Sequence, residues 1–294
     1  MSPAVFTLTG NLLAERTLTL PAWEPGRTQR ATAESFQVGG KGINVSRMLG
    51  RLGVSATALC FTGGAPGAEC EDWLLRRQLP CRAFPTSAAT RVGTVIRDQR
   101  GLHPETTFLG PDAPADAEAV CCCADFLESQ PDGAVLAVCG SVPGWSSPAF
   151  APLRAALSRW CARGHLVVDT YGPPLTELAR LPLALLRINA DEHRALLAEA
   201  GSAFPGPVVR WVVSDGPRRV RFGEQGQPAG EASPPPVNEV SPTGCGDVML
   251  AALIEAVWMR GCALDDAVAR ALPLAAANAA HPGVADFPLP MSSG

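Results

Sequence analysis

Two short segments, 200 residues apart, carry the residue types that chemistry needs. The first is Val38-Gly39-Gly40-Lys41-Gly42-Ile43-Asn44, which holds the only lysine of the chain. Arginine serves at every other basic position, so a compact ammonium between glycines marks a place where a planar guanidinium does not fit or does not work. The second is Ser241-Pro242-Thr243-Gly244-Cys245-Gly246-Asp247, which precedes an apolar helix from Val248 to Arg260 with Gly261 as its C-terminal stop. Glycines at a helix start let several backbone N–H groups converge on one point, and the helix dipole adds partial positive charge there. The result is an anion site suited to a phosphoryl group in transit. Asp247, in the first turn, is placed to accept the proton of an attacking hydroxyl. On its own, Gly-Cys-Gly-Asp equally describes a tight turn with a charge-complementing aspartate at a helix N-terminus.

The elements that must position these segments follow from the pattern. Strands are expected at Val5–Thr9, Thr57–Phe61, Ala134–Gly140, Leu166–Tyr171, Leu186–Ala190 and Val208–Ser214. Helices are expected near 42–52, 67–78, 116–129, 148–163, 190–200, 245–260 and 264–280, the last bent or divided at Pro273. This alternation implies a mainly parallel sheet covered by helices on both faces, an α/β three-layer sandwich. Residues 11–38 and 82–110 break the rhythm with strand pairs at Thr17–Leu20, Thr32–Val38, Val92–Asp98 and Thr106–Leu109. They are expected to form a small β-sheet lid on a single domain spanning 1–294. Ser233-Pro234-Pro235-Pro236 reads as a stiff, extended connector.

Composition narrows the function classes. A formal charge of −4 and a pI of 5.6 argue against nucleic acid as the main partner. No apolar run is long enough to span a bilayer, and Glu15 and Arg16 interrupt any leader-like stretch. The ten cysteines are scattered without a CxxC pair, which points to a reducing, cytoplasmic setting. Cys123 falls on the apolar face of its helix as core filler.

Taken together, Gly39-Gly40-Lys41-Gly42-Ile43-Asn44-Val45-Ser46-Arg47 and Thr243-Gly244-Cys245-Gly246-Asp247 resemble the two signatures of the PfkB family of carbohydrate kinases, in the ribokinase-like superfamily. Thr7-Leu8-Thr9-Gly10-Asn11, Thr90-Arg91, Gly140-Ser141-Val142-Pro143, Asp169-Thr170-Tyr171-Gly172, Asn189-Ala190-Asp191-Glu192 and Ser214-Asp215-Gly216 fall in the order of its 1-phosphofructokinase and tagatose-6-phosphate kinase branch. The resemblance implies a ribokinase-like fold and transfer of the γ-phosphate of ATP, with Mg²⁺, to a sugar hydroxyl. The acceptor it suggests is a phosphorylated hexose such as fructose 1-phosphate or tagatose 6-phosphate.

The resemblance also implies roles. Asp247 is the base, and the amides of Gly244, Cys245 and Gly246 are the anion hole. Glu15, Gly39, Gly40 and Asn44 approach the sugar. Lys41, Arg91 and Ser141 are candidates for an acceptor phosphate, with Arg27 or Arg30 reaching in from the lid or a partner subunit. Arg187, Asn189, Glu192, Ser214 and Gly216 lie on the ATP and Mg²⁺ side; Asn189 and Glu192 also read as a helix cap. No residue is assigned as a direct metal ligand. A homodimer through the lid is expected, because the lid exposes strand edges. Departures from the family cluster in the acceptor pocket and beside the base. Glu15 stands where aspartate is usual, Gly93, Val95 and Thr107 replace polar or basic residues, and Tyr171 and Val248 replace smaller ones. These keep open a kinase for a free sugar or nucleoside, and a catalytically silent sugar- or nucleotide-binding protein. A dinucleotide-binding oxidoreductase is set aside, because its glycine turn would follow the first strand directly.

Overall fold

The computed structural model describes residues 2–101, 105–200 and 206–289. Nine strands form one sheet. Seven run parallel: β1 (Val5–Thr9), β4 (Ala56–Thr62), β5 (Cys81–Pro85), β8 (Val135–Cys139), β9 (His165–Asp169), β10 (Leu185–Asn189) and β11 (Arg210–Asp215). An antiparallel pair, β12 (Arg219–Glu224) and β13 (Gln227–Ala232), extends the sheet beyond β11, giving the order β13-β12-β11-β10-β9-β8-β1-β4-β5. A second sheet has the order β3-β2-β6-β7, from β2 (Leu13–Leu20), β3 (Ala33–Gly39), β6 (Arg91–Asp98) and β7 (Thr106–Leu109). The α/β architecture expected from the sequence, a mainly parallel sheet with a smaller second sheet, is therefore present.

The central strands are apolar on both faces, as parallel strands covered by helices must be. Leu136 and Val138 of β8 face α3 (Ala117–Glu128) and α4 (Ala151–Arg163), packing with Val120, Leu127, Leu157 and Trp160. Val135, Ala137 and Cys139 face the opposite layer, α1 (Lys41–Arg51), α7 (Cys245–Ile254) and α8 (Leu264–Ala279). Cys123 is fully buried in the first layer, as its helical position predicts. A third cluster, with Val38, Ile43, Cys70 and Trp73, seats the second sheet on α1 and α2 (Gly64–Arg76).

Several elements differ from expectation. Cys81–Pro85 pairs with β4 at the edge of the large sheet, so only β6 and β7 of the 82–110 stretch belong to the second sheet. Prolines close both ends of β5, and an edge strand tolerates them. Segments 11–38 and 82–110 are joined by parallel pairing of β2 with β6, from Leu13↔Arg91 to Leu20↔Asp98. The β12–β13 hairpin is not among the expected elements; its two-residue turn, Gln225-Gly226, has both φ values positive, and Gln225 is an unusual residue for that conformation. The short α5 (Pro173–Leu178) was not anticipated either. The helix expected over 245–260 becomes π-helical at Glu255–Met259, ending at Gly261 in the left-handed region. Pro273 does not divide α8; it lies on the exposed side, where the carbonyl left without a donor reaches solvent.

Candidate active site

The end of β1 and the start of α1 create the first half of the site. A Cβ at Gly40, which has φ of 128°, would stand 2.6 Å from Thr9 Cγ2, and one at Gly42 would stand 2.4 Å from Thr9 Oγ1. Only glycine lets the helix begin this close to the strand. The approach aims Lys41 and Asn44, three residues apart on one helical face, toward the C-terminal ends of the parallel strands.

Lys41 Nζ donates to Asp169 Oδ1 at 2.7 Å and lies 3.8 Å from Glu192 Oε1. Asp169 ends β9 and is fully buried; its other oxygen accepts from Arg187 Nη1 at 3.0 Å. Arg187 Nη2 in turn donates to Ser214 Oγ at 2.8 Å. Burial pushes the Asp169 carboxyl up, but Lys41 and Arg187 outweigh it and hold it below the usual carboxylate range. For Lys41, burial pulls the ammonium down, while Asp169, Glu192 and Asp247 together hold it above the ordinary lysine value. Lys41 is thus tied to the strand ends beside Asp169, whereas Arg91 pairs with Asp112 and Ser141 with Asn11.

The second half is the α7 N-terminus. Gly244 is its cap at φ 78°, and a Cβ there would lie 2.2 Å from Val284 Cγ1. Asn278, wholly buried on α8, donates to the Thr243 carbonyl at 2.9 Å and to Cys245 Sγ at 3.4 Å, and accepts from Ala285 N at 2.9 Å. It fixes the loop that leads into α7. A Cβ at Gly246 would fall 2.3 Å from Arg187 Nη1, so the guanidinium lies directly against the helix start. Glycine at 246 is what permits this contact.

Asp247 follows, with Oδ2 accepting from Asn44 Nδ2 at 2.8 Å. Burial raises its carboxyl to about 7; Lys41 opposes the rise, Asp169 adds to it, and the Asn44 hydrogen bond lowers it. A carboxyl balanced near neutrality suits a general base. Asn189 and Glu192 form a complete capping box on α6 (Ala190–Ala200). Asn189 Oδ1 accepts from the amides of Asp191 and Glu192 at 2.9 Å, and Glu192 Oε2 accepts from Asn189 N at 2.8 Å. Glu192 Oε1 is the oxygen left facing Lys41.

Lys41, Asn44, Arg187, Asn189, Asp247 and the Gly244–Gly246 turn line a cleft of about 810 Å³, with Asp169, Glu192 and Asn278 behind its wall. At one end Glu15, Gly39, Gly40, Asn44 and Arg91 line it; Gln37 Nε2 donates to Glu15. Gly93, beside Glu15 on β6, leaves room for Leu13 and Leu109, whose side chains lie within 3.2 Å of where its Cβ would be. At the other end the walls are apolar, from Val220, Val237, Leu272 and Ala276, and include the Pro234–Pro236 connector. Gly216, at φ 54°, lines this half with Ser214. Ser141 lies just outside, reached through Asn11. Asp169 and Asn11 stand within the quoted motifs but carry no assigned role there, and nothing in the sequence singles out Asn278 or Asp112. Among the described residues no cluster of three or more His, Cys, Asp or Glu side chains forms a metal cage, and no helix is long and apolar enough to cross a membrane.

A buried carboxylate in the first turn of α7, facing a cleft with a polar end and an apolar end, is placed to deprotonate an alcohol held in that cleft. A profile described as pfkB family carbohydrate kinase matches residues 9–291. The chain belongs to the pfkB family. As a pfkB carbohydrate kinase it is a phosphotransferase with an alcohol acceptor. It is 30% identical over 278 residues to 1-phosphofructokinase of Rhodobacter capsulatus, covering 88% of this chain and 85% of that protein. It is 28% identical over 264 residues to ATP-dependent 6-phosphofructokinase isozyme 2 of Escherichia coli K12, covering 85% and 84%. The crystal structure of phosphofructokinase-2 from Escherichia coli in complex with potassium superposes with a TM-score of 0.86 at 25% identity, covering 97% of this chain and 94% of that one.

Proposed function

We propose that this pfkB kinase transfers the γ-phosphate of ATP to a hydroxyl of a phosphorylated hexose, fructose 1-phosphate or tagatose 6-phosphate being the first acceptors to try. The observation that carries this reading is Asp247, raised to about 7 and hydrogen-bonded to Asn44, between the α7 amides and an acceptor end holding Arg91. The acceptor hydroxyl gives its proton to Asp247, and the developing charge on the transferred group falls on the amides of Gly244, Cys245 and Gly246 and on Arg187. Such preorganised donors supply much of the work in phosphoryl transfer. Glu15, on the acceptor wall, is suited to hold sugar hydroxyls. The names of the relatives in Rhodobacter capsulatus and Escherichia coli support a hexose phosphate acceptor.

The apolar end suits a nucleoside base. The donor set also fits Mg²⁺ held largely by nucleotide phosphates: Glu192 Oε1 is the one oxygen of its carboxylate not spent on the helix cap, while Asp169 is engaged by two cations. Mg²⁺ would supply charge neutralisation of the β- and γ-phosphates, with Asn189 and Glu192 orienting that region. A coupled ADP-release screen over hexose phosphates, free sugars and nucleosides tests the reading. A free sugar or nucleoside giving the highest kcat/KM would replace it.

Arg91→Ala is expected to raise KM for a phosphorylated acceptor by about 10–100-fold, the loss of a charge-assisted hydrogen bond of roughly 1.5–3 kcal/mol. Steady-state kinetics checks this, and an unchanged KM would reassign Arg91.

We also propose a homodimer through the second sheet. Phe108 of the edge strand β7 is more than half exposed and Val92 of β6 nearly so, and the register places both on the same face of the second sheet beside its open edge. The exposed β2–β3 connection would carry Arg27 and Arg30 toward the neighbouring cleft. Light scattering is expected to give twice the chain mass, and a monomer at high concentration would defeat the idea. All ten cysteines are free, which supports a reducing cytoplasmic setting.

A further inference from the structure

Beyond the acceptor wall, Asp112 occupies a place that its chemistry makes conspicuous. It sits between Pro111 and Pro114, in the stretch that follows β7. Its Oδ1 accepts from Asn11 Nδ2 at 2.8 Å and from Arg91 Nη1 at 3.3 Å. Asn11 Nδ2 also donates to Ser141 Oγ at 3.0 Å. A guanidinium and a carboxamide therefore meet on one carboxylate oxygen, and the carboxamide also holds the Ser141 hydroxyl.

These are the groups that would bind a phosphomonoester, and they are only partly used. Arg91 Nε is buried without a partner, and so is Oδ1 of Asn11, a residue only 4% exposed. A carboxylate with one engaged oxygen leaves the side edge of the guanidinium unfilled. A phosphate, with three terminal oxygens, can take Nε and Nη1 together and still accept from Asn11 and Ser141. The unpaired Asn11 oxygen suits a donor on the same ligand, such as a sugar hydroxyl.

Asp112 is also built to leave. Its side chain is 60% exposed, while Arg91 is 14% exposed. Exposed ion pairs are weak, and a phosphomonoester carries about two negative charges at neutral pH against the single charge of a carboxylate.

We propose that Asp112 is a displaceable counter-ion, which occupies the acceptor-phosphate subsite when it is empty and is expelled by the phosphorylated acceptor. This rests on the phosphohexose reading above. Asp112 neutralises Arg91 in the free enzyme, so the uncompensated cation that would attract any small anion is not displayed. Acceptors without a phosphate do not displace it. Asp112 is thus a specificity determinant that acts by competing with the ligand, and removing it should strengthen phosphate binding.

The test is steady-state kinetics of Asp112→Ala and Asp112→Asn with ATP, comparing a phosphorylated ketohexose with its unphosphorylated counterpart. Inorganic phosphate serves as a competitive probe. The ratio of KM for the free sugar to KM for the sugar phosphate is expected to rise about two- to fivefold, what an exposed ion pair is worth. The inhibition constant of inorganic phosphate should fall by a similar factor. A brace or a sugar-hydroxyl ligand behaves oppositely, so an unchanged or raised KM for the sugar phosphate in both variants overturns the proposal. Arg91→Ala separates the two layers of argument. If it loses the sugar phosphate while Asp112→Ala shows no gain, only the counter-ion role fails. If Arg91→Ala leaves the acceptor KM unaltered, or no phosphorylated hexose is turned over by the parent enzyme, the phosphohexose reading fails and the counter-ion role falls with it.

Discussion

Asp247→Asn is expected to lower kcat by about 10²–10⁴-fold, the contribution of a positioned general base, while ATP binding measured by calorimetry stays close to that of the parent. The amide keeps the shape of the carboxyl and its contact with Asn44 but cannot take a proton. Substantial remaining turnover would remove Asp247 from the base role. The raised carboxyl makes a second, independent expectation. In the parent enzyme, kcat/KM should fall on the acid side with a midpoint near 7, because only the ionised form accepts the hydroxyl proton. The substrates also titrate in this range, so the assignment needs a protein-side lever. The hydrogen bond from Asn44 favours the ionised form, and Asn44→Ala should therefore move the midpoint upward. A limb that does not move belongs to the substrate.

The same group links activity to stability. A carboxyl whose folded pKa is raised stabilises the fold only while protonated. That contribution is complete below about pH 4, its unfolded value, and is lost as pH rises through 7. Above neutrality the protein holds a buried charge for the sake of its chemistry. Asp247→Asn should consequently melt several degrees higher than the parent at pH 8 and show little difference at pH 4.

Asp169→Ala is expected to have the largest structural effect. It would leave Lys41 and Arg187, both largely buried, facing each other without the carboxylate that now bonds both, at 2.7 and 3.0 Å. Removing one partner from a buried ion pair costs about 3–5 kcal/mol, which for a chain of this size lowers Tm on the order of 10 °C. Arg187 rests against Gly246, so its release would also disturb the α7 amides, and kcat should fall with stability. The pH dependence has the opposite sign to that of Asp247. A carboxyl depressed in the fold contributes stability above its unfolded value of about 3.9 and loses it as the pH falls through the folded value. Differential scanning calorimetry from pH 8 down to pH 3 should show the gap between parent and variant closing only in acid. A gap that is small at pH 7 would mean that the two cations find other partners.

What the sequence made legible was local. The glycines around Lys41 and before Asp247, the Asn189-x-x-Glu192 cap and the apolar runs of β1, β8 and β9 each announce a backbone geometry within a few residues. What it hid was long-range. Asn278 reaches back 35 residues to the Thr243 carbonyl, and Asp169 joins Lys41 across 128. Neither has a neighbour in the chain that hints at its partner. The edge elements were hidden for another reason. β5 and the β12–β13 hairpin are held by strand pairing more than by a periodic apolar face, so pattern alone does not raise them. The parallel union of β2 with β6 is likewise a product of topology.

One consequence of the lysine count lies outside catalysis. The single ε-amine of this sequence is locked as a cation against Asp169, which leaves it a poor target for acylating or reductively alkylating reagents. Amine-directed dyes and resins would therefore leave the cleft untouched. A reagent that did consume Lys41 would report that the ion pair had opened.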